Sequence, residues 1–489
     1  MSVEPPPGRR AFSLRSFAIA LSAALLTLEG VSSLGLALPT TGIGAVRMVV
    51  DVALALALAL LAAARIPAPP AISRLFARLR SLALVVALLL LLLTGFALFN
   101  AATLILFTAP ARYYVTDVIA FTDECARLTL AGHNPYTSPS GFVEALQRFP
   151  HVTPSPLRGG AFGAGGDYPS RSMVAAVERR YLASPGSVPG AFDARTLTSY
   201  PALSFLLYLP LVWLGAPDIL LLNLLVFVAL VAWIVWRAPR GERWWTALAL
   251  SAALPLLVIS LIADTEVVAL ALLLIAWRAR QHRWVSAIAL GLGCAFRQYC
   301  WFFAPFFLLD ALLTEAPTMA IAARVGASGW GARAASVVHW LRALSWREVS
   351  WRAMIALGAF LLPNLPFLLA SPAAWWSAVW LPLTEPLFPL GIGLVALAKG
   401  HVTPYTSAAL YTTLEVMALL ACLWAQWRWR ERLGEAIPLL ALIPLFFAWR
   451  SLPNYFAIAP LLALVAVGTL ARVGAARDRR ISAPVIARG

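Results

Sequence analysis

Ser81 to Phe107 is one long apolar segment, and it constrains the fold more than any other stretch. A helix rises about 1.5 Å per residue, so about 20 apolar residues cross a hydrocarbon layer. Several other runs reach that length. Of the 489 residues, 61% are hydrophobic and 12% charged, with a mean hydropathy of +0.81. The expected fold is an all-α polytopic membrane protein. No strict repeat marks a solenoid. The first apolar run lacks a small-residue cleavage site and is followed by more spans, so no cleavable signal is expected. The formal net charge of +16 does not point to nucleic acid. Nearly all the basic residues are arginines, with Lys399 the sole lysine, and they cluster at the ends of apolar runs. Cys125, Cys294, Cys300 and Cys422 show no metal spacing, and Cys294 and Cys300 read as packing residues.

Arginine placement sets the sidedness, because cytoplasmic loops carry the basic excess. Arg9, Arg10 and Arg15 hold the N-terminus in the cytoplasm before a span at Phe17 to Leu38. Glu29 in that span is expected to make a buried hydrogen bond. A second span, Val46 to Ala64, returns to Arg65, Arg74, Arg78 and Arg80. The third exits at Phe107, so residues 108–199 form a large extracytoplasmic loop, rich in Gly and Pro, with a short surface helix at Met173 to Leu182. Tyr200 to Gly215 is short and carries Pro210. A crossing there would put Arg237, Arg240 and Arg243 outside, so it reads as an interfacial or re-entrant helix. Spans follow at Pro217 to Trp236, Trp244 to Ile262 and Val267 to Trp277, with Asp264-Thr265-Glu266 at an outer turn. Trp284 to Leu313 would be about 45 Å as one helix, so two limbs meeting at Arg297-Gln298 are expected. Thr318 to Arg352 mixes arginines with Trp330, Trp340, Trp346 and Trp351, as an inner-leaflet surface helix does. Ala353 to Leu369 crosses outward. Ser371 to His401 stays outside, with an interfacial helix at Leu387 to Ala398. The last spans are Tyr405 to Trp427, Ala436 to Trp449 and Tyr455 to Leu470. This makes about twelve crossings with both termini cytoplasmic. Residues 1–80 form a tail and two added spans, 81–471 the core, and 472–489 a basic tail. Within the core lie the loop 108–199 and the cytoplasmic segment 315–352.

One polar stretch stands out, Tyr113 to Tyr136, where Asp117, Asp123 and Glu124 lie close together in a chain poor in acids. As a helix from Asp117 to Leu130, it places Asp117, Phe121, Glu124 and Leu128 on one face and Asp123 elsewhere. Gly132 ends that helix, and His133-Asn134-Pro135-Tyr136 makes a turn. Each acid has a bland reading as a solvated loop charge. Arg297 at a helix break has two readings: a phosphate ligand, or a salt bridge to Asp264 or Glu266. Arg450, in AWRSLPNYF, has the same two. A carboxylate facing a phosphate-binding arginine suits glycosyl transfer, with the acid taking the acceptor's proton and the cation balancing the departing phosphate.

The order of landmarks resembles the GT-C superfamily of membrane glycosyltransferases. It is most similar to the polyprenol-phosphate-mannose-dependent mannosyltransferases of glycosyltransferase family eighty-seven. The residues that carry this are Asp117 with AGHNPY (Ala131 to Tyr136), YPALSFLLYLP (Tyr200 to Pro210), GLGCAFRQYCWFFAP (Gly291 to Pro305) and RSLPNYFAIAPLLAL (Arg450 to Leu464). The resemblance implies a hexosyltransferase of the bacterial inner membrane with an extracytoplasmic site. It would pass a sugar from a polyprenyl-phosphate donor to a glycolipid or glycan acceptor. The general base falls on Asp117, with the pair Asp123-Glu124 as the alternative. Substrate contacts fall on His133, Asn134, Tyr136, Tyr200, Asp264, Glu266, Arg297, Gln298, His401, Arg450 and Tyr455. No cofactor and no metal is expected, since arginine alone can balance a monophosphate leaving group. Asp264-Thr265-Glu266 departs from the Gly-Gln-Asn-like turn common in relatives, which leaves the sugar open. The alternative reading is a flippase or transporter of lipid-linked sugars.

Overall fold

The computed structural model describes residues 14–34, 42–64, 80–163, 167–238, 240, 243–313, 344–404 and 407–468. Among these the regular structure is helical, apart from one parallel pair of two-residue strands, β1 (Leu390–Gly391) and β2 (Arg450–Ser451), and isolated bridges. Three long helices open it: α1 (Leu14–Leu34), α2 (Gly42–Ala63) and α3 (Arg80–Phe107). The polar stretch gives α4 (Asp117–Leu130), followed by α5 (Pro139–Arg148) and α6 (Arg171–Ala183). Then come α7 (Leu220–Arg237), α8 (Glu266–Arg278), α9 (Arg283–Phe296) and α10 (Ala304–Leu312). The last long helices are α11 (Trp346–Ala370) and α12 (Ala408–Leu433).

Six described helices are long and apolar enough to cross a membrane: α1, α2, α3, α7, α11 and the one that α12 begins. Their outer faces agree. Leu89, Leu92, Phe96 and Phe99 of α3 and Met354, Leu362 and Leu369 of α11 are all exposed. A continuous apolar surface of this kind suits lipid and not water. The chain is therefore a helical membrane protein.

The other expected crossings are shorter or broken, and proline accounts for much of the breakage. Pro255 divides the expected span after Trp244 into Arg243–Ala253 and Pro255–Ser260. Pro438 and Pro444 leave only Ile437–Leu440 and Leu442–Phe446 in the segment before Trp449. Tyr200 to Gly215 holds two short helices, Leu203–Leu206 and Leu209–Trp213, neither of crossing length. Trp284 to Leu313 is interrupted where expected. α9 stops at Phe296, Arg297 is extended (φ −145°, ψ 137°), and a short 3-10 turn leads into α10.

Two expectations differ from the structure. The helix expected at Leu387 to Ala398 is β1, a loop and a four-residue helix, Ala396–Lys399. Gly391 (φ +136°) and Gly393 explain it, because a β-carbon on either would meet Ser451 or Phe446 at about van der Waals overlap distance. The surface helix expected to end at Arg352 instead leads straight on: Trp346 to Ala370 is one helix, with Glu348 bonded to Arg352 at 2.9 Å in its first turns. Residues 318–343 of that expected segment lie outside the described residues.

Helix packing relies on small residues. A methyl group at Gly291 of α9 would sit 2.2 Å from the Ala356 carbonyl of α11, so these helices meet backbone to backbone. In the N-terminal pair, buried Glu29 of α1 lies 3.4 Å from Arg47 of α2. Arg430 of α12 donates to Asp310 of α10 at 2.9 Å, and Gln426 donates to the Phe306 carbonyl. These bonds fix α12, which forms a wall of the site.

Candidate functional site

A cavity of about 540 Å³ opens where α4, the Arg297 break, β2 and α12 converge. Its first wall is the start of α4. Tyr113 and Tyr114 both donate to buried Asp218, just before α7. Thr116 then donates to the Ala263 carbonyl at 2.8 Å. These anchors aim the first turn of α4, so that Asp117, Val118 and Phe121 line the cavity. Asp117 accepts from the backbone N–H of Ser155 at 2.9 Å. It is half-buried and has no cationic partner among the described residues. A carboxylate at a helix N-terminus is also favoured by the helix dipole.

The other two acids of α4 point away from the cavity. Asp123 accepts from Arg127 at 2.5 Å and Glu124 from Arg148 at 2.7 Å, and both carboxylates are buried. Burial pushes both carboxyls up, while the arginines pull them back down. Glu124 therefore does not stand beside Asp117 at a cavity mouth. It ties α4 to α5.

The turn after α4 also has a supporting place. His133 is exposed, and the Asn134 side chain caps the turn by accepting from the Tyr136 N–H at 3.0 Å. Buried Tyr136 donates to the Tyr200 carbonyl at 2.7 Å. None of these three lines the cavity. Tyr136 positions Tyr200, which does. Asn364 of α11 accepts from the Ala202 N–H at 2.8 Å and fixes the same segment further along.

At the helix break, Arg297 is almost fully buried and closes a knot of charges. It donates to Asp264 at 2.6 Å and to the Thr265 hydroxyl, and its Nε lies 3.9 Å from Glu266. Its guanidinium stacks 3.8 Å from the centre of the Tyr200 ring. Asn454 binds the same two acids, Asp264 at 2.6 Å and Glu266 at 2.9 Å. Of the two readings of Arg297, the ion pair is the one this geometry contains. Gln298 donates to the carbonyls of Ser199 and Val379, which brings the segment before Tyr200 to the break. Tyr455 packs on Tyr299 with ring centres 5.5 Å apart.

Arg450 lines the same cavity as Arg297 but differs in its surroundings. It lies on β2, half-buried, and has no carboxylate partner among the described residues. The strand pair fixes its backbone: Leu390 N–H donates to the Trp449 carbonyl and Ile392 N–H to that of Ser451. Tyr168 lies within the electrostatic reach of both this arginine and Asp117. Burial pushes the Tyr168 hydroxyl up, Arg450 pulls it down and Asp117 pushes it up, so both charges act on one hydroxyl. The unpaired carboxylate and the unpaired guanidinium line the same cavity. His401 stands apart. It is exposed, adopts φ +56° and lies 3.2 Å from the Asp167 carboxylate.

Sequence reasoning did not single out Tyr168, Asn454 or Glu415. Asn454 sits within the RSLPNYF stretch already flagged for Arg450. Glu415 had a signal as well, a lone acid in the expected span Tyr405 to Trp427. Tyr168 had none, because only the folded loop brings it to Arg450. Among the described residues no group of three or more His, Cys, Asp or Glu is placed to hold a metal ion. Against protein-family models, curated proteins and solved structures, the chain has no match.

Proposed function

We propose that the chain is a GT-C-type membrane glycosyltransferase. It moves a sugar, mannose or a related hexose or pentose, from a polyprenyl-phosphate donor to a glycolipid or glycan acceptor. The observation that carries this reading is one cavity lined by both a carboxylate, Asp117, and a guanidinium, Arg450, neither with an ion-pair partner among the described residues. Asp117 takes the proton of the acceptor hydroxyl as its oxygen attacks the anomeric carbon. The bond from that carbon to the phosphate oxygen breaks, and the electron pair leaves with the polyprenyl phosphate. Arg450 balances the charge gathering on the phosphate. Attack on the face opposite the phosphate inverts the anomeric centre.

The shape of the cavity also supports this. The lining stripe of α12 runs from Ala408 to Leu419, about 17 Å along a helix of crossing length. Arg450 offers a charge to a lipid phosphate, and Val416 and Leu419 of α12 offer apolar surface to a polyprenyl tail. Purified protein incubated with polyprenyl-phosphate mannose and an envelope glycolipid should form a glycosylated product. Arg450→Ala should weaken donor binding by about 1.5–3 kcal/mol, the scale of a lost charge-assisted bond. Unchanged donor affinity in that variant would remove the phosphate from Arg450.

The proposed site faces the extracytoplasmic side, with residues 108–199 outside and both termini in the cytoplasm. Positive-inside placement of the arginines supports this. In a cysteine-free background, single cysteines at exposed positions 187 and 217 should both label from the outer side. Labelling of position 217 from the cytoplasm alone would reverse the order of the later helices.

A further inference from the structure

The cavity holds a second unpaired carboxylate that the acid–base scheme does not use. Glu415 lies on α12, about 10 Å along the axis from the helix start. Ala408, Thr412, Glu415 and Leu419 follow at steps of four, three and four, which is one helix face, and all four line the cavity. The neighbours of Glu415 in sequence, Leu414 and Val416, are apolar. Among the described residues Glu415 has no hydrogen-bond or ion-pair partner. An ionisable group on a membrane helix is costly, and it is kept where a cavity or a ligand meets its needs.

We propose that Glu415 recognises hydroxyl groups of the donor's sugar. This rests on the glycosyl-transfer reading and follows from what each part of a polyprenyl-phosphate sugar can offer. A carboxylate only accepts hydrogen bonds, at up to about four lone-pair sites. The isoprenoid tail has no donor to give. The phosphate is an anion, and like charges repel. Sugar hydroxyls alone suit the group. Arg450 then holds the phosphate, Glu415 orients the ring from the α12 side, and Asp117 remains free for the acceptor. Glu415 is in this scheme a substrate-binding residue and takes no proton.

The test uses the full chain in lipid nanodiscs, without acceptor. Binding of polyprenyl-phosphate mannose and of bare polyprenyl phosphate is read by tryptophan fluorescence, since Trp301, Trp380 and Trp449 line the cavity. The wild type should prefer the sugar-bearing lipid. Glu415→Leu should reduce that preference about tenfold, the scale of a lost hydrogen bond to a charged group, with bare-lipid affinity kept or raised. Glu415→Gln, whose amide oxygen still accepts, should retain most of the preference. A preference unchanged in Glu415→Leu overturns the assignment. So does an equal loss of both lipids, which would place Glu415 against the tail or in packing. A wild type that binds both lipids equally overturns it while leaving the glycosyl-transfer reading in place. Binding of neither lipid removes that reading first, and the role of Glu415 with it.

Discussion

Asp117→Asn should abolish transfer, lowering kcat about 10²–10⁴-fold, the range that a positioned acid or base contributes. The substitution keeps the size of the side chain and an oxygen to accept from the Ser155 N–H. What it removes is the ability to take a proton. Asp117 is half-buried and pairs with no arginine among the described residues, so folding should persist. Donor binding should persist too, because the phosphate is assigned to Arg450. The controls are the neighbouring acids. Asp123→Asn and Glu124→Gln alter ion pairs with Arg127 and Arg148 behind the cavity wall, and should retain most of the turnover. Product formation under saturating donor decides the matter. Full turnover by Asp117→Asn, with loss only at Asp123 or Glu124, would move the base to that pair and break the scheme.

The fold was legible wherever a local rule governs it. The periodicity and the Gly132 stop marked α4 to within a residue, and Gly132 takes the positive φ (+81°) that such a stop needs. The break at Arg297 followed from length, since one helix over that segment would overshoot a bilayer. The β1–β2 pair was not legible. Leu390 to Gly391 looks like part of an apolar interfacial helix, and its partner lies some sixty residues later in the chain. Long-range pairing of so few residues leaves no periodic trace. The continuity of α11 past Arg352 was hidden for a different reason. Arginine and tryptophan at its start suggested a surface element, yet such residues also suit the interfacial end of a spanning helix.

The site was half legible. Residue type picked out Asp117, Arg297 and Arg450 as charges in unusual places, but it could not tell which were already neutralised. That depends on the tertiary approach of Asp264 to Arg297 and of Arg148 to Glu124. Pairing divides the polar residues into two sets. Asp123, Glu124, Asp264 and Arg297 hold the walls together, while Asp117, Glu415 and Arg450 face the space between them unpaired. The same logic separates Tyr136, whose hydroxyl is committed to the Tyr200 carbonyl, from Tyr200, whose ring lines the cavity.

Arg297→Ala should cost the fold about 3–5 kcal/mol, the scale for breaking a buried ion pair by deleting one partner. Arg297 is 1% exposed, and it is the near cation for both Asp264 and Glu266. Its removal would leave two buried carboxylates with no cation beside them, held by the Asn454 amide and, for Asp264, by the Thr265 N–H. The stacking on Tyr200 would be lost as well. Lysine should rescue poorly, because one ammonium cannot reproduce a guanidinium forked between Asp264 and Thr265. Neutralising the acid should rescue better: Arg297→Gln with Asp264→Asn should recover part of the loss, since two contacting residues in one network do not act additively. Arg450→Ala gives the contrast, for it strands no buried carboxylate among the described residues and should unfold like the wild type. Denaturant unfolding in detergent micelles, followed by circular dichroism, separates these cases. An Arg297→Ala protein as stable as the wild type, but unable to bind donor, would return the phosphate to Arg297 and leave Arg450 without its role.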